Sequence, residues 1–179
     1  IIAVDSGVEH LFKLSLDPTT LIGDLDSISK KSLDEVKKNG VKILAFNSNK
    51  DQTDFELALN YLEEAEKSKV YIIGGESGEI DHLISIFLLI PSKSFFENII
   101  WLYGDKRIIF RQKIELNIKK LTKFSIIPLS DLTNLSIDGA EWNLDNKDIQ
   151  FGETLTLRNS TNEEQLNIRC DKGIFALIY

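Results

Sequence analysis

The chain has 179 residues, 42% of them apolar and 27% charged, a globular mixture long enough to bury a core without disulfides. Its formal net charge of −7, with no dense cluster of lysine or arginine, excludes a nucleic-acid polymer as partner, since such a partner demands a basic face. The one cysteine, Cys170, excludes an internal disulfide and fits a reducing cytoplasm, and the longest apolar run, Ile86 to Ile90, falls far short of the ~20 residues a membrane span needs.

In chain order, Ile1 to Val4 reads as a buried strand, and Val8, Leu11 and Phe12 follow at helical spacing. Thr20 to Ile22 is the next strand, ended by Gly23. Ser29 to Asn39 reads as a helix, with Ser32 and Glu35 as a capping box and Gly40 at the C-terminal stop. Its Lys30-Lys31 and Lys37-Lys38 pairs belong to a solvated face. Val41 to Phe46 is a strand, and Asp54 to Lys67 is a helix with Phe55, Ala58, Leu59, Leu62 and Ala65 on one face. Lys69 to Ile73 is a further strand. Asp81 to Ile90 is apolar nearly all round and is predicted to be a buried helix ended by Pro91. Asn98 to Tyr103 closes the set. This alternation predicts a mostly parallel, Rossmann-like α/β sheet with helices on both faces.

From about residue 107 the runs become short and strand-like: Phe124 to Leu129, Leu135 to Ile137, Ile149 to Phe151, Thr154 to Leu157, Leu166 to Cys170 and Ile174 to Tyr179. Turn signals at Asp138-Gly139, Asp145-Asn146, Gly152 and Asp171-Lys172-Gly173 separate them. Such spacing predicts an antiparallel β-sandwich. The expected division is an α/β domain over 1–110 and a β-sandwich domain over 111–179, with the transition near 106–118. No signal-peptide pattern is visible, and because the chain starts at Ile1 and contains no methionine, residues ahead of it are expected to be missing.

Acidic residues follow four successive strands: Asp5, then Asp24 and Asp26, then Asp51 and Asp54, then Asp81. Ligands of open α/β sheets bind beyond the carboxyl ends of the strands. Residues two apart on extended chain point the same way, so Asp24 and Asp26 are predicted to face one site. Carboxylates gathered there repel each other unless a hard cation relieves them. A cluster without histidine or cysteine neighbours favours Mg²⁺ over Zn²⁺; His10 and His82 read as packing or surface residues. Thr53 is open to two readings, a cap in Thr53-x-x-Glu56 or a phosphate contact at a helix N-terminus. No Gly-x-x-x-x-Gly-Lys-Ser/Thr loop occurs, so phosphate charge would fall to the metal, to helix N-termini and to Lys50.

Asp5-Ser6-Gly7, Ile22-Gly23-Asp24-Leu25-Asp26-Ser27, Lys50-Asp51-Gln52-Thr53-Asp54 and Asp81-His82 resemble, in order and interval, the thiamine pyrophosphokinase family. Gly139-Ala140-Glu141-Trp142-Asn143-Leu144 and Ser160-Thr161-Asn162-Glu163 extend the resemblance along nearly the whole chain. The resemblance implies a homodimer that moves the pyrophosphoryl group of ATP onto the hydroxyl of thiamine. It implies that Asp24, Asp26 and Asp54 hold Mg²⁺, with Asp5 beside them, and that Asp24, Asp26, Asp54 and Asp81 are catalytic. Asp54 and Asp81 are both candidates for the proton acceptor. It further implies that Lys50, Asp51 and Thr53 flank ATP, and that Trp142, Ser160, Thr161 and Asn162 contact thiamine across the subunit interface. Trp142 reads equally as a core residue of the sandwich, and Ser160 to Asn162 as a plain turn. The family's Gly-Gly-Arg ahead of the Asp81 position is Ser77-Gly78-Glu79 here, a charge reversal for which Arg107 or Arg111 is the candidate substitute. That reversal keeps two alternatives open: a non-catalytic thiamine- or nucleotide-binding protein, and a Mg²⁺-dependent nucleotide hydrolase.

Overall fold

The computed structural model describes residues 1–63, 69–75 and 79–179. The chain divides into two compact units, Ile1–Glu66 and Lys67–Tyr179. Among the described residues no helix is long and apolar enough to cross a membrane.

The first unit alternates β1 (Ile2–Val4), α1 (Gly7–Lys13), β2 (Thr20–Gly23), α2 (Lys30–Lys38), β3 (Lys42–Ala45) and α3 (Asp54–Glu63). The strands form a parallel sheet in the order β1-β2-β3, as the alternation predicts. Central β2 is buried at every position, the pattern of a strand covered on both faces. Ala3, Val8, Leu21, Ile28 and Val36 form the core. The cap of α2 corrects the sequence reading. Ser29, not Ser32, stands at the N-cap, because only Ser29 is extended (φ −62°, ψ 143°); its hydroxyl accepts the Ser32 N–H at 3.2 Å. Helix α3 starts where predicted and buries Ala58 and Leu59; Ala65 and Lys67, expected in the same helix, lie outside the described residues.

The second unit begins with β4 (Val70–Ile73), α4 (Ile80–Leu89) and β5 (Ile99–Tyr103). There follow β6 (Lys106–Arg111), β7 (Lys113–Asn117), β8 (Lys123–Pro128), β9 (Leu132–Asp138), β10 (Leu144–Ile149), β11 (Asn159–Ser160), β12 (Gln165–Arg169) and β13 (Phe175–Ile178). One sheet has the order β11-β8-β13-β6-β5-β4, parallel only between β4 and β5; the other, β10-β9-β12-β7, is antiparallel throughout. Strand β8 alternates buried and outward residues, burying Phe124 and Ile126. These pack with Leu132, Leu135, Ile137, Leu166 and Ile168 from the other sheet in one apolar core, which makes the pair of sheets a sandwich. Trp101 is fully buried on β5 and donates its indole N–H to the Gly74 carbonyl at 2.9 Å.

Three sequence expectations are corrected here. Helix α4 has no buried residue: Phe87 packs on Trp101 and Phe110, with ring centroids 5.5 and 5.7 Å apart, but the Ile80, Ile84 and Leu88 stripe is more than half exposed. Apolar residues all round permit burial, but burial needs a covering layer on every side. Residues 154–157, expected as a strand, form no strand and turn instead; Thr156 is nonetheless buried and donates its hydroxyl to the Ile126 carbonyl at 2.7 Å. The strand expected at Ile149 to Phe151 lies earlier, as β10, where Asp145, Lys147 and Asp148 hide it from an apolar search.

Cys170 is buried, with its thiol directed to the Gln112 carbonyl at 3.3 Å. Burial first, and the Asp171 charge second, push its pKa up to about 11. The nucleophile is the thiolate, so the folded protein is expected to resist a thiol-alkylating reagent at pH 7–8 and to react fully once denatured. Mass spectrometry of the two samples checks this; rapid alkylation of the native chain would mean that the β12–β13 turn opens readily.

Candidate functional site

Parallel strands β1 and β2 end at the same sheet edge, and that edge carries the acids. Asp5 follows β1 directly in a left-handed conformation (φ 46°), with its N–H donated to the Ile22 carbonyl at 2.8 Å. Gly23 ends β2 beside it, where a Cβ would lie 3.2 Å from the Asp5 Cβ, so a glycine lets the two chains approach. Leu25 (φ 68°) then bends the chain tightly enough for the Asp26 N–H to reach Asp24 Oδ1 at 3.2 Å. As a result, one carboxylate oxygen each of Asp5, Asp24 and Asp26 lies within 4.8 Å of the others.

The electrostatics of this group are those of crowded like charges. The Asp26 N–H, and after it the Asp26 side chain and Lys50, lower the Asp24 pKa against the opposing effect of burial. The Asp24 charge, followed by its hydrogen bond and by Asp5 and Asp54, raises that of Asp26. Lys50 reaches in from the loop after β3, its Nζ 3.1 Å from Asp54 Oδ1 and 3.7 Å from Asp24 Oδ2. Burial alone would lower the Lys50 pKa, but Asp54 and Asp24 outweigh it and the net shift is upward.

The donor set fits a hard divalent cation. All the oxygens are carboxylate, and no His or Cys belongs to the group. One Asp5 oxygen accepts the Ser27 hydroxyl, whereas the other, Oδ1, is buried with no hydrogen-bond partner. A buried carboxylate oxygen without a donor is costly, and a cation at the centre of the three acids would satisfy it. Asp54 Oδ1 is also buried, but it has the Lys50 ammonium as its ion-pair partner and donor at 3.1 Å.

The remaining predicted residues of the first unit, Asp51 and Thr53, lie just ahead of α3. The Thr53 hydroxyl accepts the Glu56 N–H at 3.2 Å, a capping contact at the start of α3. The reciprocal half of a capping box is absent, since Glu56 accepts the Gln52 amide instead. Asp51 is exposed. Asp81 belongs to the second unit, in the first turn of α4, where its Oδ1 accepts the His82 N–H at 2.8 Å. Glu79 is the N-cap of α4 but makes no side-chain cap bond; Ser77 and Gly78 lie outside the described residues. Arg111 donates to the Phe110 carbonyl at 2.7 Å, and Arg107 is exposed.

A second constellation lies in a cleft of the sandwich. Trp142 is 59% exposed, so it is not a core residue. Asn159 clamps its backbone from both sides: Asn159 Oδ1 accepts the Trp142 N–H at 3.2 Å, and Asn159 Nδ2 donates to the Trp142 carbonyl at 2.8 Å. Ser160 lines the same cleft and donates its hydroxyl to Glu141 at 2.6 Å. Thr161 is fully buried, its hydroxyl donating to the Lys119 carbonyl at 2.7 Å and accepting the Thr122 N–H at 3.1 Å, so it anchors the segment. Asn162 is exposed and donates its N–H to the Gly139 carbonyl at 3.0 Å. Sequence reasoning assigned no role to Ser27, Asn159 or Glu141. Ser27 and Glu141 sat inside quoted motifs, but only the fold shows which acceptor each one serves.

Residues 1–101 match the family model described as thiamin pyrophosphokinase, catalytic domain, and residues 111–175 the one described as thiamin pyrophosphokinase, vitamin B1 binding domain. The chain is 30% identical to the thiamine pyrophosphokinase of Bacillus subtilis (strain 168), over 99% of this chain and 85% of that one. It is 22% identical to thiamine pyrophosphokinase 2 of Arabidopsis thaliana, over 88% of this chain and 63% of that one. In fold it is similar to the crystal structures of thiamine pyrophosphokinase from Bacillus subtilis (TM-score 0.88, 24% identity, covering 99% of this chain and 85% of that one) and of a thiamin pyrophosphokinase family protein from Enterococcus faecalis (TM-score 0.87, 24% identity, covering 99% and 86%).

Proposed function

The chain belongs to the thiamine pyrophosphokinase family, and from that premise we propose that it transfers the pyrophosphoryl group of ATP to the hydroxyl of thiamine through its aspartate cluster. Membership makes it a thiamine diphosphokinase, an enzyme that forms thiamine diphosphate from thiamine with ATP as co-substrate.

The observation that carries the mechanism is the convergence of Asp5, Asp24 and Asp26 around the unpartnered, buried Asp5 Oδ1. These three carboxylates would hold Mg²⁺, with Asp54 and Lys50 beside them. When bound, the ion neutralises charge on phosphate oxygens. The Lys50 ammonium, held between Asp54 and Asp24, presents a fixed positive charge to the nucleotide. In the reaction the thiamine hydroxyl oxygen bonds to the β-phosphorus of ATP. The bond from that phosphorus to the oxygen bridging it to the α-phosphorus breaks, and its electron pair leaves on AMP. The hydroxyl proton passes to a carboxylate. The chain's part is therefore positioning and electrostatics, not covalent chemistry.

The same reading divides the labour between 1–110, which handles ATP and the metal, and 111–179, which handles thiamine. Trp142 offers an exposed indole face to the cationic ring, with Ser160 lining the same cleft. A homodimer would bring this surface to the partner's aspartates at the subunit interface. A cytoplasmic site of action accords with the free cysteine.

Incubation with ATP, Mg²⁺ and thiamine is expected to yield AMP and thiamine diphosphate in equal amounts, and a chelator should stop both. Chromatography of the nucleotides and thiamine esters checks it. Phosphate released without thiamine would instead reveal a hydrolase, and thiamine binding without AMP a non-catalytic binder.

A further inference from the structure

The Trp142 cleft carries a charge that thiamine alone does not explain. Lys123 on β8 is paired directly with Ser160 on β11. Directly opposed residues of antiparallel strands share a face, so the Lys123 ammonium rises beside the Ser160 hydroxyl. Ser125, two residues on, lies on the same face and accepts the Arg158 N–H at 3.0 Å, which sets Arg158 next to it. Lys123, Arg158 and Lys106 line the cleft together with Trp142, Glu141 and Ser160.

Two of these cations are uncommitted. Lys106 pairs with Asp105 at 3.0 Å, and Glu141 is engaged by Ser160. Among the described residues, neither Lys123 nor Arg158 has a carboxylate within ion-pair distance. In a chain of net charge −7, two free cations beside an exposed indole run against the average. They would repel thiamine, itself a cation. They would attract the same ring once it bears phosphates, because each phosphate contributes at least one negative charge at neutral pH. A guanidinium and an ammonium together suit phosphate oxygens, Arg158 by a bidentate fork and Lys123 as a point charge.

We propose that the Trp142 cleft holds a phosphorylated aromatic ligand, with its ring against Trp142 and its phosphates on Lys123 and Arg158. This rests on the reading of Trp142 as the ring-binding surface and adds which ionic form of the ligand the cleft retains. Two ligands share the chemistry, the diphosphate product and the adenine nucleotide. The opposite charges within the cleft separate the roles: the Glu141 carboxylate and the indole suit the cationic ring, and Lys123 and Arg158 the anionic tail.

Trp142 is exposed whereas Trp101 is 0% exposed, so quenching of tryptophan fluorescence reports on this cleft. Titrations in the presence of a chelator keep phosphate off the aspartates. Thiamine diphosphate is expected to bind at least about tenfold more tightly than thiamine, and to weaken as salt rises. The Lys123→Ala/Arg158→Ala double variant should remove that tenfold preference and leave thiamine binding no weaker, whereas Lys123→Arg should keep the preference. A non-hydrolysable ATP analogue forms the second arm; a salt-sensitive response to it alone, lost in the double variant, would assign the cleft to the nucleotide. Inorganic pyrophosphate, followed by calorimetry, forms the third. Pyrophosphate binding that needs Lys123 and Arg158, with no response to any thiamine compound, upholds the anion site and removes the thiamine reading beneath it. Equal affinity for thiamine and thiamine diphosphate, unchanged by the double variant, overturns the proposal.

Discussion

Asp26→Asn is expected to cut kcat/KM for thiamine diphosphate formation by roughly 10³-fold while the protein stays folded. The side chain is exposed, and the Asp26 hydrogen bond in the loop comes from its backbone N–H, which the substitution leaves alone. What changes is charge. Asparagine offers an oxygen of the same reach but no negative charge, so the group that would hold the cation falls from three carboxylates to two. The metal-free protein should not lose stability, because Asp24 opposes ionisation of Asp26. The sign follows from that upward shift. The folded state binds the Asp26 proton more tightly than the unfolded state does, so this group adds stability at low pH and loses it as pH rises through its folded pKa. The Asp26→Asn variant should lack that part of the pH dependence. Two thermal melts decide the point. The parent should gain stability on addition of Mg²⁺, by the mass-action linkage between binding and folding, and the variant should gain little. Near-normal turnover with an unaltered Mg²⁺ response would take Asp26 out of the cation site.

That experiment concerns the part of the molecule most open to sequence reasoning. Asp5 and Asp24 follow parallel strands, and neighbouring parallel strands bring their carboxyl ends to one edge, so chain order alone predicts their meeting. The apolar run Leu21-Ile22 similarly announces a strand covered on both sides. Other features depend on information that a linear pattern lacks. Ser29 and Ser32 are equally good capping residues by type; the backbone angles choose between them. Strand β10 contains Asp145, Lys147 and Asp148 and is bulged, so no apolar alternation marks it. Strands β6 and β7 fall where the sequence shows only a transition between domain types. In the sandwich the motifs were visible but their division of labour was not: Trp142 reads as thiamine contact or core residue and Thr161 as thiamine contact or plain turn, and burial separates them, 59% against 0% exposed. Lys123 and Arg158 lie far apart in the chain and become neighbours only through the β8–β11 register.

Gly139→Ala is expected to destabilise the sandwich strongly. Gly139 turns the chain out of β9 with φ 86°, a region that alanine adopts only under strain. A Cβ there would sit 2.0 Å from the Gln165 carbonyl oxygen and 3.1 Å from its carbon, which are backbone atoms at the start of β12 and cannot rotate away. To make room, β9 must part from β12 where Asn167 pairs with Asp138. The same shift would drag the Gly139 carbonyl from the Asn162 and Glu163 N–H groups, which it accepts at 3.0 and 3.4 Å. The cost should be about 3 kcal/mol or more, a fall of roughly 6–12 °C in Tm for a chain of this size. Gly152→Ala supplies the control. Its φ of 90° imposes similar backbone strain, but nothing lies within 4 Å of the added carbon, so it should cost only about 1 kcal/mol. The difference between the two melts isolates the collision with Gln165. Because the Gly139 carbonyl holds the segment leading back to Ser160, and Asn159 holds Trp142, the Gly139 variant should also lose ligand-induced quenching of Trp142, whereas the Gly152 variant keeps it. Equal melting points for the two would show that the β9–β12 corner yields to a methyl group, and that the cleft does not depend on its rigidity.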